Sequence, residues 1–163
     1  MLVNGPKINT VEQAISFFKR HEDHPTALSA QELEKIAGLA SKEKDPSQTM
    51  CLAAYAQGGA RFMIERQPPD GPAAVRYLEF ASMLASSLPP GPAALPGREI
   101  VAAALHISAA LRDSGQQYLA GRAEFVATLL NRSFDGLFND VVLKVAHDRE
   151  FAALHSPTAP NAA

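Results

Sequence analysis

Cysteine is almost missing from this sequence of 163 residues, in which Cys51 is the only one. A single thiol cannot close a disulfide within the chain, and such bridges are typical of oxidising compartments. The N-terminus also lacks the pattern of a secretory signal. We therefore expect the protein in the cytoplasm.

Long apolar runs are missing as well. The longest one covers residues 100–111, and it is interrupted by His106 and Ser108. A membrane-spanning helix needs roughly 20 consecutive apolar residues, so this run is too short. The sequence therefore predicts no membrane partner.

Neither sign of charge dominates the sequence. The formal net charge is −2, and the arginines occur singly rather than in clusters. A nucleic-acid-binding face normally needs a basic patch. We therefore expect no nucleic-acid partner.

Motifs for catalysis and cofactor binding are also missing. The sequence has no Gly-x-Ser-x-Gly turn, no phosphate-binding loop and no paired zinc-type cysteines. It therefore predicts no cofactor and no catalytic residue, and it favours a protein that is not an enzyme.

The sequence does contain a series of alanine-rich amphipathic segments separated by Gly, Pro or charged residues. Apolar residues recur at helical spacing within each segment, and no strand-like alternation competes with them. Hydrophobic residues make up 47% of the chain, enough for a packed core. This pattern predicts one all-α domain over residues 1–154, a bundle of about six to seven helices in hairpins, and a flexible tail over residues 155–163.

Helix starts are marked by capping residues. Thr10 with Gln13, and Ser29 with Glu32, have the spacing of a capping box. Asp45-Pro46 combines an N-cap residue with a proline at the first helical position. These pairs predict the beginnings of the first three helices.

The fifth helix is expected over about residues 98–113. Its residues are apolar nearly all round, so we expect the central and most buried element, with four inaccessible side chains: Ile100, Ala104, Ile107 and Leu111. Four prolines precede it in residues 88–97, which predicts the longest non-helical connection, a hinge or an exposed loop.

Two adjacent glycines lie inside the third helix. Gly58 and Gly59 together cost roughly 2 kcal/mol relative to alanine, so something should require them. Gly59 falls on the stripe Cys51, Tyr55, Gly59 and Phe62, which predicts that it faces the interior. Close packing of another helix is the favoured explanation, and a ligand pressed against this surface is the alternative.

Three positions invite chemical hypotheses. His21 and His24 form the densest set of potential metal ligands, but they lie where a helix is expected to end, so we predict no zinc site. His106 could act as a general base, although a core-edge histidine bonded to a carbonyl is favoured. Cys51 is expected to be a small buried hydrophobe.

The last two helices carry candidate contact residues. The sixth helix has a set of residues at helical spacing: Tyr118, Arg122, Phe125, Val126 and Leu129. A seventh stripe begins at Leu137 and Phe138. Phe134 is expected in the core, but if exposed it would be an aromatic anchor for a partner, with Arg132 beside it.

Three functional hypotheses remain open. The favoured one is a non-enzymatic protein–protein interaction module of the adaptor, chaperone-like or immunity type, whose partner is another protein or a second copy. The second is a small-molecule-binding or catalytic protein with a pocket near Gly59 and His106, in which Tyr55 supplies a polar group. The third is a structural helical oligomer.

Overall fold

The computed structural model describes residues 7–24 and 26–154. Within these ranges α-helix is the only regular structure besides one 3₁₀ turn at His21–Asp23, so the all-α prediction is confirmed. The predicted tail lies outside the described residues. The helices are α1 Val11–Lys19, α2 Ala30–Ser41, α3 Pro46–Glu65, α4 Gly71–Ser86, α5 Pro90–Asp113, α6 Gln117–Ser133 and α7 Asn139–Leu154.

The predicted capping residues begin the first three helices. The Thr10 hydroxyl accepts from the Gln13 amide at 3.1 Å, which satisfies a donor that the first turn of α1 leaves free. Ser29 and Glu32 form a complete capping box, with N–O distances of 3.2 and 2.9 Å. The Asp45 carboxylate accepts from the Ser47 amide at 3.0 Å. These local predictions are confirmed.

Four of the helices form two hairpins, α3 with α4 and α5 with α6. The most extensive contacts join α3 with α4 and α5 with α6, and α4 also packs against α5 and α6. Helix α5 contacts α3, α4, α6 and α7, which confirms its central place. Among the described residues, no helix has the length and apolar character needed to cross a bilayer.

The side chains predicted to fill the centre are buried. Ile100, Ala104, Ile107 and Leu111 are all inaccessible or nearly so. The expectation that α5 is the most buried element is nevertheless wrong. Helix α4 buries ten of its 16 residues, whereas α5 buries ten of 24, because α4 packs against α3 and also against both helices of the other hairpin, while part of α5 reaches the surface.

The predicted loop over residues 88–97 is also wrong, because α5 already begins at Pro90. Pro90 and Pro92 lie in the first turn, where backbone N–H groups have no intrahelical partner and proline is tolerated. Pro96 lies inside the helix and removes one hydrogen-bond donor. Burial compensates, since Ala93, Pro96 and Gly97 face the core together with Ile100.

Tyr77 fastens the segment before α2 to the centre of the bundle. Its ring is fully buried and packs edge-on against Phe18, with centroids 5.1 Å apart. Its hydroxyl accepts from the Leu28 amide at 2.8 Å. Burial raises the pKa of Tyr77, so the phenol stays protonated.

Helix α7 buries side chains only in its first half. The buried ring of Phe138 lies so close to Gly97 that a Cβ there would be 3.0 Å from Phe138 Cε1 and closer still to Cζ. Arg98 donates to Asp140, which lowers the pKa of that carboxyl. Val145 is the one buried residue within α7, and residues 146–154 are exposed.

Candidate functional site

The two residues predicted to share a pocket lie in different environments. Gly59 is buried, and a Cβ there would be 3.2 Å from both Phe18 Cδ1 and Tyr77 Cδ2. His106 is exposed on α5. Neither Gly59 nor His106 lines any of four surface cavities, which have volumes of about 320, 360, 390 and 770 Å³.

The interior position of Gly59 is confirmed, but the residue that approaches it was not foreseen. Aromatic side chains, rather than the backbone of another helix, fill the space over Gly59. Gly58 has open space where a Cβ would be, so the packing argument covers only one glycine of the pair.

The predicted stripe on α3 is wrong for Cys51 and Tyr55, which are both exposed. The buried side of α3 instead includes Leu52, Ala56 and Met63, a line that is rotated by about one residue. Cys51 is therefore not the buried hydrophobe that was expected. Tyr55 is 37% exposed, so its ring is only partly covered, whereas Gly59 is buried.

The expected carbonyl-bonded histidine is also wrong, because His106 is exposed and the described residues offer it no hydrogen bond. Partial desolvation and the cations of Arg61 and Arg149 lower its pKa. Glu99 on the same helix accepts from Gln57 Nε2 at 3.2 Å. His106 therefore has cationic neighbours, and the nearby Asp148 makes no hydrogen bond to it that would orient a general base.

The two N-terminal histidines pack on aromatic rings. His21 Nδ1 lies 2.6 Å from the Phe18 carbonyl oxygen, and its ring centroid lies 4.6 Å from that of Phe62. His24 stacks on Phe17 with centroids 4.0 Å apart. In the described ranges no three His, Cys, Asp or Glu residues form a metal-binding group. The predicted lack of zinc binding stays a prediction.

Phe134 and Arg132 do not form an exposed aromatic anchor. Phe134 is half-buried against the core and packs edge-on against Phe138, with centroids 5.9 Å apart. Arg132 is exposed on α6 and lines a cavity of about 320 Å³ between α5, α6 and α7.

The most distinctive surface is one side of α6. Tyr118 is 77% exposed, Phe125 60% and Leu129 42%. Together with Gly121 they lie three to four residues apart, so they form one line along the helix. We call these four residues the α6 face. The opposite side is buried through small residues and Leu130, so the helix is anchored while its larger apolar residues stay in water.

One ion pair lies within the α6 face and one lies beside it, since the Arg122 guanidinium is over the Tyr118 ring, 5.8 Å from the ring centroid. Arg122 makes a two-pronged contact with Glu79 of α4, with Nε 3.1 Å from Oε2, and this raises the pKa of Arg122. Arg112 of α5 donates to Glu124 at 3.1 Å. Each pair is formed within the chain, so opposite charges balance along the apolar line.

A shallow cavity of about 390 Å³ lies along the α6 face. Tyr118, Gly121 and Phe125 line it together with Glu79 and Arg122. Glu79 also lines a neighbouring groove of about 360 Å³ between α2 and α4, where the exposed Met83 lies. The two cavities therefore adjoin at Glu79 on α4.

A larger cavity of about 770 Å³ lies beside α1. Its lining includes Lys7, Phe17 and His24. It borders positions where the described ranges stop, at Lys7 and at His24, and we assign no site to it.

The sequence carried a signal for the α6 face. The alanines of α6, at positions 120, 123 and 127, are spaced like a packing stripe of their own. Small residues allow close helix contact, so in an alanine-rich bundle they compete with large residues for the interior. The spacing of Tyr118, Phe125 and Leu129 shows that they share a side, but not which side.

Comparison of the chain with protein-family models, with curated proteins and with solved structures finds no match.

Proposed function

We propose that this chain is a non-enzymatic protein–protein interaction module and that the α6 face is its binding surface. The observation that carries the proposal is the exposed line Tyr118, Phe125 and Leu129 on a helix whose other side is fully packed. Exposed apolar residues that form a contiguous patch with a polar rim are typical of interaction sites.

The surface fits an apolar helix from a protein partner. Gly121 leaves a gap between Tyr118 and Phe125, and the cavity over it can accept one side chain of an approaching helix. The α6 face has two charge-balanced ion pairs, and the exposed Arg132 lies one turn beyond Leu129. A partner with an apolar centre is therefore favoured over a strongly charged one.

The same features argue against a nucleic-acid partner. Arg122 lies within the α6 face and Arg112 lies beside it, but each is paired with a glutamate of this chain, and phosphate binding needs unpaired cations. A cytoplasmic location belongs to the proposal as well, because the thiol of Cys51 is exposed and free, and such thiols persist best in a reducing compartment.

Site-specific photo-cross-linking tests the proposal. A photoreactive phenylalanine analogue replaces Tyr118 in one variant and Tyr55, an exposed tyrosine on α3, in a matched control. Irradiation of the cells that naturally make this protein should give a discrete protein adduct from position 118 and none of that mass from position 55. Equal labelling at both positions, or none at either, contradicts the proposal.

A second substitution shows whether the adduct depends on the surface. Phe125→Asp should abolish cross-linking from position 118, because it places a charge in the middle of the apolar line. Phe151→Asp on α7 is the control, since Phe151 has similar exposure, 57% against 60%. Circular dichroism melts of both variants check that the fold is retained.

A further inference from the structure

We propose that the Asp135–Gly136 pair is a site of covalent self-modification, at which the aspartate isomerises to isoaspartate while the chain is folded. The site is the corner between α6 and α7. The sequence of the corner, its backbone geometry and the contrast with the other Asp–Gly pair of the chain, Asp70–Gly71, point to this site independently of the proposed function.

The reaction needs only water besides the chain itself. The backbone nitrogen of Gly136 attacks Cγ of Asp135 and forms a C–N bond, while the proton of that nitrogen and the carboxyl hydroxyl leave together as water. The product is a cyclic succinimide, and water then adds to either of its carbonyl carbons. Attack at Cγ restores aspartate. Attack at the main-chain carbonyl carbon breaks the bond between that carbon and nitrogen, so the main chain now passes through the side chain as isoaspartate.

The residue after Asp135 has to be glycine in this fold. Gly136 has φ +80°, in the left-handed region that side chains rarely adopt. A Cβ there would also lie 2.8 Å from Asn139 Nδ2. Any side chain at this position would hinder attack by the nitrogen beside it. The fold therefore places the least hindered nucleophile next to an aspartate.

Asp135 is exposed, and its carboxylate is not held in place. In the described part of the chain this carboxylate has neither a hydrogen bond nor an ion pair, and the polar side-chain contacts of the corner are made by Asn131 and Asn139 instead. Asp135 directly follows the C-cap Phe134 of α6, where the helix dipole does not favour a negative charge. The carboxyl group can therefore rotate toward the nitrogen of Gly136.

The backbone at Asp135 is left-handed as well, with φ 53°. Glycine is the usual residue at this position after a helix, because a Cβ makes the left-handed conformation unfavourable. The Gly136 amide donates to the Asn131 carbonyl at 2.9 Å, and the Asp135 amide donates to the Arg132 carbonyl at 3.1 Å. The Gly136 bond must open for the reaction. It lies at a helix end, where local opening needs less free energy than unfolding of the domain, and opening also relieves the strain at Asp135.

The other Asp–Gly pair has the same chemistry in opposite surroundings. Asp70 caps α4, and its carboxylate accepts from the Ala73 amide at 3.0 Å. Gly71 is buried, and a Cβ there would lie 2.8 Å from Gln116 Oε1. Attack would require the cap to break and the buried start of α4 to open. The fold therefore protects this pair and leaves the pair at the α6–α7 corner reactive.

Isomerisation at the corner should loosen α7. Isoaspartate adds one carbon to the main chain, which disturbs the bonds that the backbone amides of Gly136 and Phe138 make to Asn131. The ring of Phe138 is the buried contact of this segment beside Gly97. The isomerised chain should therefore melt at a lower temperature than the original chain.

Peptide mapping of the purified full chain tests the proposal. The chain is incubated at physiological pH and temperature in water enriched in heavy oxygen, because each opening of the succinimide adds one oxygen from the solvent. Trypsin in ordinary water then separates the two pairs into residues 67–76 and 133–144. Heavy oxygen and isoaspartate should accumulate at Asp135 about tenfold or more faster than at Asp70, since reaction at Asp70 needs opening of a buried helix start.

Two controls separate the fold from the sequence. In urea the two pairs should react at similar rates, because each is then an exposed aspartate followed by glycine. Asp135→Glu should remove the heavy-oxygen label from residues 133–144 of the folded chain, because the longer side chain would have to close a larger ring, which forms much more slowly.

The outcomes that overturn the proposal are distinct. It is wrong if Asp135 stays unmodified in the folded chain or reacts no faster than Asp70 there. It is also wrong if the difference between the two pairs persists in urea, because the sequence rather than the fold would then explain the difference. Ion-exchange chromatography isolates the isomerised chain, and an unchanged melting temperature of that chain contradicts the loosening of α7.

Discussion

At the scale of single residues, neighbouring glycines in one helix have opposite surroundings. The Gly58 position opens to free space, whereas Gly59 lies under the rings of Phe18 and Tyr77. The intrinsic preference of the helix is the same at both positions, so any difference between them comes from tertiary packing. The same substitution at both positions therefore isolates the contribution of packing to the unfolding free energy, because helix propensity contributes equally to both variants.

We predict that Gly59→Leu lowers the free energy of unfolding by roughly 1–3 kcal/mol, because the larger side chain must displace two buried rings. Gly58→Leu should raise it by up to about 1 kcal/mol through better helix propensity. Urea denaturation of the two variants measures both values. A stabilising Gly59→Leu would show that the aromatic cluster yields easily and that the contact over Gly59 does not constrain the fold.

His106 gives a prediction on protonation. Partial burial and the cations of Arg61 and Arg149 lower its pKa below the ordinary value, with Asp148 opposing them. In an NMR titration the His106 midpoint should therefore lie below the roughly 6.5 of a free histidine. Arg149→Gln should move that midpoint upward, because one cationic neighbour is removed. A midpoint that ignores Arg149 contradicts this account.

The lowered pKa of His106 also determines the direction in which pH changes the stability of the fold. The folded chain holds the His106 proton less tightly than the unfolded chain does, so acidification through the ordinary histidine range favours unfolding. The effect should be small, since the imidazole is exposed and solvent screens the two guanidinium groups. His106→Gln should remove this part of the acid sensitivity of the melting temperature.

At the scale of elements, α5 combines a buried line and an exposed end. Ile107 is nearly inaccessible, whereas Leu95 near the start of the same helix is 64% exposed. Ile107→Ala should cost roughly 2–5 kcal/mol of unfolding free energy through lost burial and a cavity. Leu95→Ala, the matched control, should stay within about 0.5 kcal/mol of the wild type. Thermal and urea melts measure both unfolding free energies, and similar values for the two variants would contradict the central role of α5.

Sequence patterns predicted the helix starts correctly where the interacting residues are close together in the sequence. The capping interactions of Thr10, Ser29 and Asp45 involve residues two or three positions away, so their spacing is visible in the sequence. The start of α5 depended on whether Pro96 could remain inside a helix. Pro96 is kept inside the helix because it and Gly97 are buried against other elements. A local sequence pattern does not contain this information.

At the scale of the whole molecule, the distal half of α7 buries no side chain. Residues 146–154 are exposed, and the last buried side chain is Val145. A chain that ends after Ala146 should therefore keep its unfolding free energy within about 1 kcal/mol of the full chain. Calorimetry of the shortened and full chains measures this. A large loss would show that the end of α7 packs more tightly than its exposure indicates.

The candidate site was harder to predict than the fold. Helical spacing identified the right helices and placed Gly59 inside, because these features depend on one element and its apolar content. It misplaced Cys51 and Tyr55, which are exposed on α3. Which side of a helix is buried depends on its neighbours, and when small residues pack the interior, the largest residues of α6 are left outside.

The prolines at the start of α5 also act before the chain folds. Pro89, Pro90, Pro92 and Pro96 each hold φ near a helix-compatible angle in every conformation of the unfolded chain. That chain therefore has fewer backbone states to lose when α5 forms. Part of the stability of α5 arises in this way from a restricted denatured ensemble, and no contact of the folded structure displays it.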